Sequence, residues 1–261
     1  MINKVIHYCW FGNSKKTKLI ENCISSWKIF CPDYEIIEWN ESNCDLTHPF
    51  ILHALKANKW AFVADYIRLH VLFNYGGVYL DTDMVLVKSL DPFLKHKCFF
   101  GAEEETIISA GIIGSVKKNK LIFDLLKSYD NLDLNQDLDF NNLAIPLLIT
   151  SHIKTINKIF SVKINDITSF DDVVIYPQNY FYPFPNKEKS NIKNHLSYAT
   201  EDTVAIHLWN ASWVDYNEFD YLNQKRFGKA MTKVLRTLFV SRDFNKYYFK
   251  RIFNHLKKNY D

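Results

Sequence analysis

The sequence predicts an α/β protein in which a mostly parallel β-sheet is flanked by helices and followed by a helical C-terminal extension. Strand-like and helix-like segments alternate through the first half, the strand-like segments are short and apolar, and the C-terminal segment has helical periodicity. The chain has 261 residues, enough to bury a sizeable core. We therefore predict a main domain over residues 1–218 and a basic, amphipathic helical extension over residues 219–261.

The first three elements follow from local signals. Residues 5–11 form an apolar run closed by Gly12, which is typical of a buried strand. Residues 18–30 carry apolar side chains at helical spacing and predict a helix. A turn at Pro32 then leads into a second apolar segment, residues 35–39, which we predict to be a strand.

Glycines mark the next boundary. Helices are predicted near residues 49–57 and over 59–75, the second ending at Gly76, because glycine tolerates the positive φ of a helix end. The remaining strands are predicted at residues 78–87, 97–101, 108–114, 173–176 and 204–208. The remaining helices are predicted at residues 118–130, at 141–153 and from about 219 to the end. Ligands of such sheets bind beyond the carboxyl ends of the strands, which is where we expect the site.

Charge is unevenly placed along the chain. Residues 225–261 hold 11 Lys/Arg and 2 Asp/Glu, whereas the rest holds 21 and 27, so the body is acidic and the tail is basic. The five cysteines lack regular spacing. The apolar N-terminal run is short and interrupted by His7, so it does not predict a signal peptide. We interpret His7 itself as structural. We therefore expect a reduced, cytoplasmic protein without a disulfide framework. No stretch of about 18 apolar residues predicts a membrane span.

Two carboxylates carry the strongest chemical signal. Asp81 and Asp83 follow the apolar residues 78–80, and side chains two apart point to one side of an extended chain. Two like charges there are costly unless a cation lies between them. A hard divalent ion, Mn²⁺ or Mg²⁺, takes oxygen ligands and can bind a diphosphate leaving group. The other interpretation is a solvated loop with two acidic residues.

The preceding helix adds a second charged pair. Asp65 and Arg68 interrupt an otherwise apolar helix and lie one turn apart on the same face. They form either a structural ion pair or a pair that faces the site, with Asp65 bonding sugar hydroxyls and Arg68 near the diphosphate.

These motifs together resemble a known family. A-x-x-x-D-x-x-R followed by G-G-V-Y-L-D-T-D resembles the D-x-D sugar-transferases of glycosyltransferase family 32. That family includes bacterial capsule and lipopolysaccharide transferases and the yeast initiating α-1,6-mannosyltransferase, and the glucosylating domains of clostridial toxins carry a similar core. The segments V-I-H-Y-C-W-F-G, C-P-D-Y-E-I-I-E-W-N and H-L-W-N-A-S-W also resemble bacterial members. The resemblance covers residues 3–115 and 204–213.

The resemblance implies a GT-A type fold, which is Rossmann-like, a nucleotide-diphosphate sugar donor, Mn²⁺ and retention of the anomeric configuration. It also implies roles for single residues: Trp10 lies against the nucleotide base, Asp65 and Arg68 hold the donor sugar, Tyr79 lies near the nucleotide, Asp81 contacts the ribose or a metal-bound water, and Asp83 binds the metal directly.

Three further positions, Trp10, His207 and Trp213, have two interpretations each. Trp10 packs in the core or stacks on the base. His207 is a core histidine or, given its place before N-A-S-W, a third metal ligand. Ser212 and Trp213 suit a loop that closes over the donor, the alternative for Trp213 being surface packing.

Two features concern the substrate side. Capsule transferases of the family often carry I-N-T-G after the D-x-D unit, and this chain has I-S-A-G, so Ser109 replaces the Asn. The acidic run of residues 103–105 is either a solvated loop or part of an acceptor groove.

We predict a retaining, metal-dependent transferase that moves a hexose from a UDP-sugar onto a glycan or lipid-linked glycan of a bacterial surface polysaccharide. Its basic tail is predicted to hold it peripherally on the anionic, cytoplasmic face of the inner membrane, and no nucleic-acid partner is expected. The alternatives are a non-catalytic carbohydrate-binding module and a haloacid-dehalogenase-type phosphatase with Asp81 as nucleophile and Asp83 as acid.

Overall fold

A computed structural model describes residues 1–12, 14–57, 59–134, 138, 140–210, 222 and 227–236. Its strands are β1 (Val5–Cys9), β2 (Glu35–Trp39), β3 (Gly77–Leu80), β4 (Met84–Leu86), β5 (Cys98–Glu104), β6 (Ile107–Ser115), β7 (Thr168–Phe170), β8 (Val173–Tyr176) and β9 (Ala205–His207). Its α-helices are α1 (Lys18–Phe30), α2 (Pro49–Lys56), α3 (Trp60–Tyr75), α4 (Lys120–Asp130), α5 (Ile145–Ile156), α6 (Gln178–Phe181) and α7 (Phe227–Arg236). Short 3₁₀ segments lie at Asp91–Phe93, Phe140–Leu143 and Asn186–Tyr198.

The chain divides into two compact units, Met1–Asn210 and Ala211–Asp261. In the second unit the structure describes α7 and residue 222. The predicted boundary after residue 218 stays a prediction, and the predicted helical tail beyond residue 236 lies outside the described residues. None of the helices in the described ranges has the length and apolar character needed to cross a bilayer.

The main sheet of the described chain has seven strands in the order β2-β1-β3-β6-β5-β8-β7. The pairs β1–β2, β1–β3 and β5–β8 are parallel, while β6 and β7 run antiparallel to their neighbours. Five of the seven strands therefore point the same way, which confirms the predicted mostly parallel sheet. Strands β4 and β9 form a separate antiparallel pair beside it.

Alternation along the strands divides the core between the two faces of the sheet. Tyr79 packs with apolar residues of α2 to α5 on one face, whereas Val78 and Leu80 pack with α1, α6 and the β4–β9 pair on the other. On that second face Trp27 of α1 is fully buried, and its indole N–H donates to the carbonyl of Met84. The helices therefore cover both faces, as the sequence predicts.

The turn between α3 and β3 requires its two glycines. Gly76 and Gly77 have φ values of +69° and +107°, and a Cβ at either position would lie 2.7 Å from a backbone atom. The buried His7 holds this turn, because its Nε2 lies 2.7 Å from the Gly76 carbonyl while its Nδ1 accepts from the Trp39 indole. His7 thus has the structural position expected for it, and β3 leaves the turn at a fixed place beside β1.

Element positions agree with the sequence at most points and differ at one that matters. Helix α1 and strands β2 and β8 have the predicted bounds. The single strand predicted over residues 78–87 is wrong, because the chain turns after β3 and continues as β4 in the other sheet. Apolar residues lie on both sides of this turn, so the pattern reads as one strand. The strand β7 and the helix α6 were not predicted.

Candidate active site

The two carboxylates of the D-x-D unit lie in a turn, not along a strand. The Met84 N–H donates to the Asp81 carbonyl at 3.0 Å, which closes the turn, and the Asp81 N–H donates to Gly111 of β6 at 2.8 Å. The extended-chain argument for their convergence is therefore wrong. The carboxylates are close because the chain reverses direction between the two sheets.

Asp83 is held by the segment that follows β9. Its Oδ1 lies 3.1 Å from His207 Nε2, and its Oδ2 accepts from the Asn210 N–H at 2.7 Å. Its carbonyl accepts from the Leu208 N–H. Between these contacts Trp209 has a φ of +54°, a left-handed conformation that is costly for a residue with a Cβ and that folds the chain back onto Asp83.

Asp81, Asp83 and His207 together form a candidate metal centre. One ligand atom from each lies within 4.8 Å of the others, and the two aspartates and the histidine come from separate strand ends. Two carboxylate oxygens and one imidazole nitrogen are a donor set that suits a hard divalent ion such as Mn²⁺, with coordination positions left for a substrate. The residues present therefore fit the metal that the sequence predicts.

Arg68 links this centre to helix α3. Its Nη2 lies 2.8 Å from Asp65 Oδ1, and its Nη1 lies 3.2 Å from Asp81 Oδ1 and donates to the Ala110 carbonyl at 2.8 Å. The guanidinium also lies 4.6 Å from the centre of the Tyr79 ring, whose hydroxyl donates to Asp81. The Asp65–Arg68 ion pair is buried, and it orients the first carboxylate of the D-x-D unit. The predicted contacts of Asp65 with sugar hydroxyls and of Arg68 with the diphosphate stay predictions.

Burial and neighbouring charges shift the pKa values here in different directions. Burial raises the pKa of Asp65 to about 6, opposed by Arg68 and by a hydrogen bond from the Ile145 N–H. The guanidinium of Arg68 pairs with both Asp65 and Asp81, so its positive charge is shared between two carboxylates. Burial also acts to raise the pKa of Asp83, but the charge of His207 and the hydrogen bonds from His207 and Asn210 outweigh it and leave that pKa lowered.

Trp10 lies at the same edge of the sheet. It follows β1, which is parallel to β3 and in register with it, so both chains leave the sheet on one side. The Trp10 indole N–H donates to the Ser14 carbonyl, and Lys16 Nζ lies 5.4 Å from the ring centre. Trp10 lines an open groove of about 560 Å³ together with polar residues that include Lys16 and Glu38. One side of the ring packs on the core and another faces this groove.

Sequence reasoning missed Tyr182 and the backbone of Asn210. Tyr182 is fully buried beside Gly111 and His207, in a Tyr- and Phe-rich segment without a recognisable period.

Glu103 lies half-buried at the end of β5, where burial raises its pKa, so the interpretation of this residue as part of a solvated loop is wrong. Ser212 and Trp213, predicted to close over the donor, lie outside the described residues.

Comparison with known proteins identifies part of this site. Residues 17–100 match the family model of the glycosyltransferase sugar-binding region containing a DXD motif. We refer to residues 17–100 as the DXD-type region. The match confirms the resemblance predicted from the sequence, and the DXD-type region contains Asp65, Arg68, Tyr79, Asp81 and Asp83.

Curated proteins similar to this chain include glycosyltransferases. The chain is 28% identical to a mannosyl phosphorylinositol ceramide synthase of Saccharomyces cerevisiae, over 52% of this chain and 37% of that enzyme. It is 27% identical to an uncharacterized glycosyltransferase of Acanthamoeba polyphaga mimivirus, over 83% of this chain and 85% of that protein. It is 23% identical to the human alpha-1,4-N-acetylglucosaminyltransferase, over 72% of this chain and 50% of that enzyme. The chain spans only 28% to 39% of the length of three fungal relatives that it matches.

Solved structures that the chain matches include glycosyltransferases. The PaToxG glycosyltransferase is 19% identical with a TM-score of 0.47, over 59% of this chain and 68% of that one. The galactosyltransferase LgtC, solved with donor and acceptor sugar analogs, is 14% identical with a TM-score of 0.40, over 87% of this chain and 94% of that one. The chain's own topology is a mixed and mostly parallel sheet flanked by helices, which is the arrangement of the predicted GT-A type fold.

Proposed function

We propose that this protein is a metal-dependent, retaining glycosyltransferase that moves a hexose from a nucleotide-diphosphate sugar, a UDP-sugar, onto a glycan acceptor. The observation that carries this proposal is the grouping of Asp81, Asp83 and His207 within 4.8 Å, inside and beside a DXD-type sugar-binding region. Three ligands at the edge of a sheet suit an ion that also binds substrate oxygens.

The chain's own residues would hold the ion and orient the donor. Asp83 and His207 would hold the metal, and Asp81 would contact it or a water bound to it. When bound, a divalent ion supplies the positive charge that binds a diphosphate and stabilises it as a leaving group. The guanidinium N–H groups of Arg68 bind Asp65, Asp81 and the Ala110 carbonyl. The main role of Arg68 is therefore to fix the position of Asp81, and substrate binding is secondary to it.

The nucleoside end of the donor fits the groove beside Trp10. An indole at the end of β1 offers a flat apolar face to a base. Lys16 lies in the same groove, where it pairs with Glu38 at 2.6 Å. The diphosphate joins the nucleoside to the sugar, so the ribose lies between Trp10 and the metal centre, near Tyr79, and the sugar lies beyond the metal centre, near Asp65. Glu103 is half-buried, beside the buried Ser109 and near Asp81 and His207, and the acceptor would approach next to it.

Retention and the acceptor class rest on the resemblance to the D-x-D sugar-transferases. In a front-face displacement the acceptor hydroxyl forms its bond on the face from which the diphosphate departs, and a diphosphate oxygen accepts the hydroxyl proton. Retention therefore needs no protein nucleophile. The acceptor is a glycan or lipid-linked glycan of a bacterial surface polysaccharide, capsule or lipopolysaccharide, assembled at the cytoplasmic face of the membrane.

A donor screen tests the proposal. Purified protein with Mn²⁺ is offered UDP-Glc, UDP-Gal, UDP-GlcNAc and GDP-Man, the last because two relatives are named as mannosyltransferases. We expect nucleotide release from one UDP-sugar that is lost with chelator, and a product whose anomeric configuration matches the donor. GDP-Man turnover would overturn the UDP assignment. Sugar binding without release from any donor would favour the non-catalytic module, and release of phosphate from simple phosphomonoesters would favour the phosphatase.

A further inference from the structure

The strands β5 and β6 separate at residues 109–112 of β6, whose backbone contacts Arg68 and Asp81. Cys98 to Phe100 pair with residues 113–115, but Ala102 pairs with Ile108, so Gly101 alone faces residues 109–112 of β6. On its other edge β6 pairs with β3 through residues 112–115, with Ile112 opposite Leu80. A register shift of this size leaves backbone groups of β6 without a strand partner on the β5 side.

The side chain of Tyr182 fills the gap. Its hydroxyl accepts from the Ile112 N–H at 3.0 Å, which replaces the missing ladder bond. A Cβ at Gly101 would lie 2.7 Å from its ring, and one at Gly111 would lie 3.0 Å from its hydroxyl, so both strands are built to admit this ring. Tyr182 is fully buried, and a buried N–H without a partner is costly, so the hydroxyl is required there.

The segment that Tyr182 holds also positions the charged groups. The Ala110 carbonyl accepts from Arg68 Nη1, and the Gly111 carbonyl accepts from the Asp81 N–H, each at 2.8 Å. On its other side the Tyr182 ring packs edge-on against His207, with the ring centres 5.7 Å apart. One side chain therefore contacts the backbone that fixes Asp81 and the imidazole that faces Asp83.

We propose that Tyr182 is a positioning residue that sets the separation of Asp81 from His207 and thereby the affinity of the centre for a divalent metal. The proposal rests on the proposed function, because it assigns to Tyr182 the geometry of the same metal centre. Residues that orient ligands without touching the metal typically change its affinity 10–100-fold when replaced.

The test compares two single-hydroxyl deletions on one face of the sheet. Tyr182→Phe removes the hydroxyl that accepts from Ile112. Tyr176→Phe is the matched control, since Tyr176 is also a buried residue and its hydroxyl makes one part-buried hydrogen bond, with His96 at 2.7 Å. We expect both variants to fold, and we expect Mn²⁺ affinity, measured by calorimetry without any donor, to fall about 10–100-fold in Tyr182→Phe only. Unchanged Mn²⁺ affinity in Tyr182→Phe, or an equal loss in Tyr176→Phe, would overturn the proposal.

Amide exchange separates this proposal from the proposed function. In metal-free protein, the amides of Ile112 and Asp81 should exchange faster in Tyr182→Phe than in wild type, and Tyr176→Phe should leave both unchanged. Unaltered exchange at both amides overturns the positioning role whether or not the wild type binds Mn²⁺. Failure of the wild type to bind Mn²⁺ while these amides respond counts against the proposed function and supports the role of Tyr182 in holding Asp81.

Discussion

The guanidinium of Arg68 lies 3.2 Å from the Asp81 carboxylate while it also pairs with Asp65 at 2.8 Å. The side chains of Arg68 and Asp65 are 8% and 10% exposed, so this ion pair is essentially buried, and breaking it leaves a carboxylate without its counter-charge. The D-x-D unit thus depends on a helix that precedes it in sequence.

Removing Arg68 should therefore destabilise the fold strongly. We expect Arg68→Met to lower the free energy of unfolding by about 3–5 kcal/mol, because Asp65 is left buried and unpaired. The double variant Asp65→Asn with Arg68→Met should recover part of this loss. Urea unfolding measures both, and equal stabilities for the single and double variants would contradict the pairing.

Removing Asp83 should abolish metal binding while the fold survives. Asp83→Ala deletes a carboxylate that faces His207, so the loss of Mn²⁺ affinity should exceed the roughly 10–100-fold typical of residues that only orient ligands. Asp172→Ala is the control, since Asp172 pairs with Lys97 on the surface. Calorimetry with Mn²⁺ measures the affinities, and full affinity in a folded Asp83→Ala variant would exclude Asp83 from the centre.

Trp10 should contribute to nucleotide binding by stacking. We expect Trp10→Ala to weaken UDP binding by about 1–3 kcal/mol and Trp10→Phe to retain most of the affinity, because a smaller ring still stacks. Calorimetry with free UDP compares the two variants. If both bind UDP as the wild type does, Trp10 is a packing residue only.

The raised pKa of Asp65 predicts a pH dependence of stability. A carboxyl whose folded pKa is about 6, above its unfolded value, stabilises the fold most when protonated and loses that contribution as pH rises through 6. Relative to Asp65→Asn, the wild type should therefore gain up to about 3 kcal/mol of unfolding free energy between pH 7 and pH 4. Urea unfolding of both proteins across this range checks the sign, and a difference that does not change with pH would show that the pKa is not raised.

The membrane proposal is tested on the basic tail. Each Lys or Arg near an anionic bilayer contributes about 1 kcal/mol, so a few engaged residues would attach the protein reversibly. The full chain should sediment with anionic vesicles at low salt and be released at high salt, and a chain ending at residue 224 should not sediment. If both chains stay in the supernatant, the tail is a packing element.

Local pattern was enough to predict most elements and one half of the site. Helical spacing predicts α1 and α3, and the two glycines predict where α3 ends, because these signals involve residues a few positions apart. The same short range contains Asp65, Arg68, Asp81 and Asp83, so the sequence also predicts that charged groups meet near the end of β3.

Tertiary structure alone decided how those groups are arranged. The turn after β3 depends on β4 leaving to pair with β9, and only that pairing brings His207 to Asp83, 124 positions earlier in the chain. The gap that admits Tyr182 is a register shift between β5 and β6, which no periodicity records. Sequence pattern specifies which face a residue takes, whereas register and the closure of distant segments are fixed by packing across the whole sheet, and the geometry of this site is set by those non-local contacts.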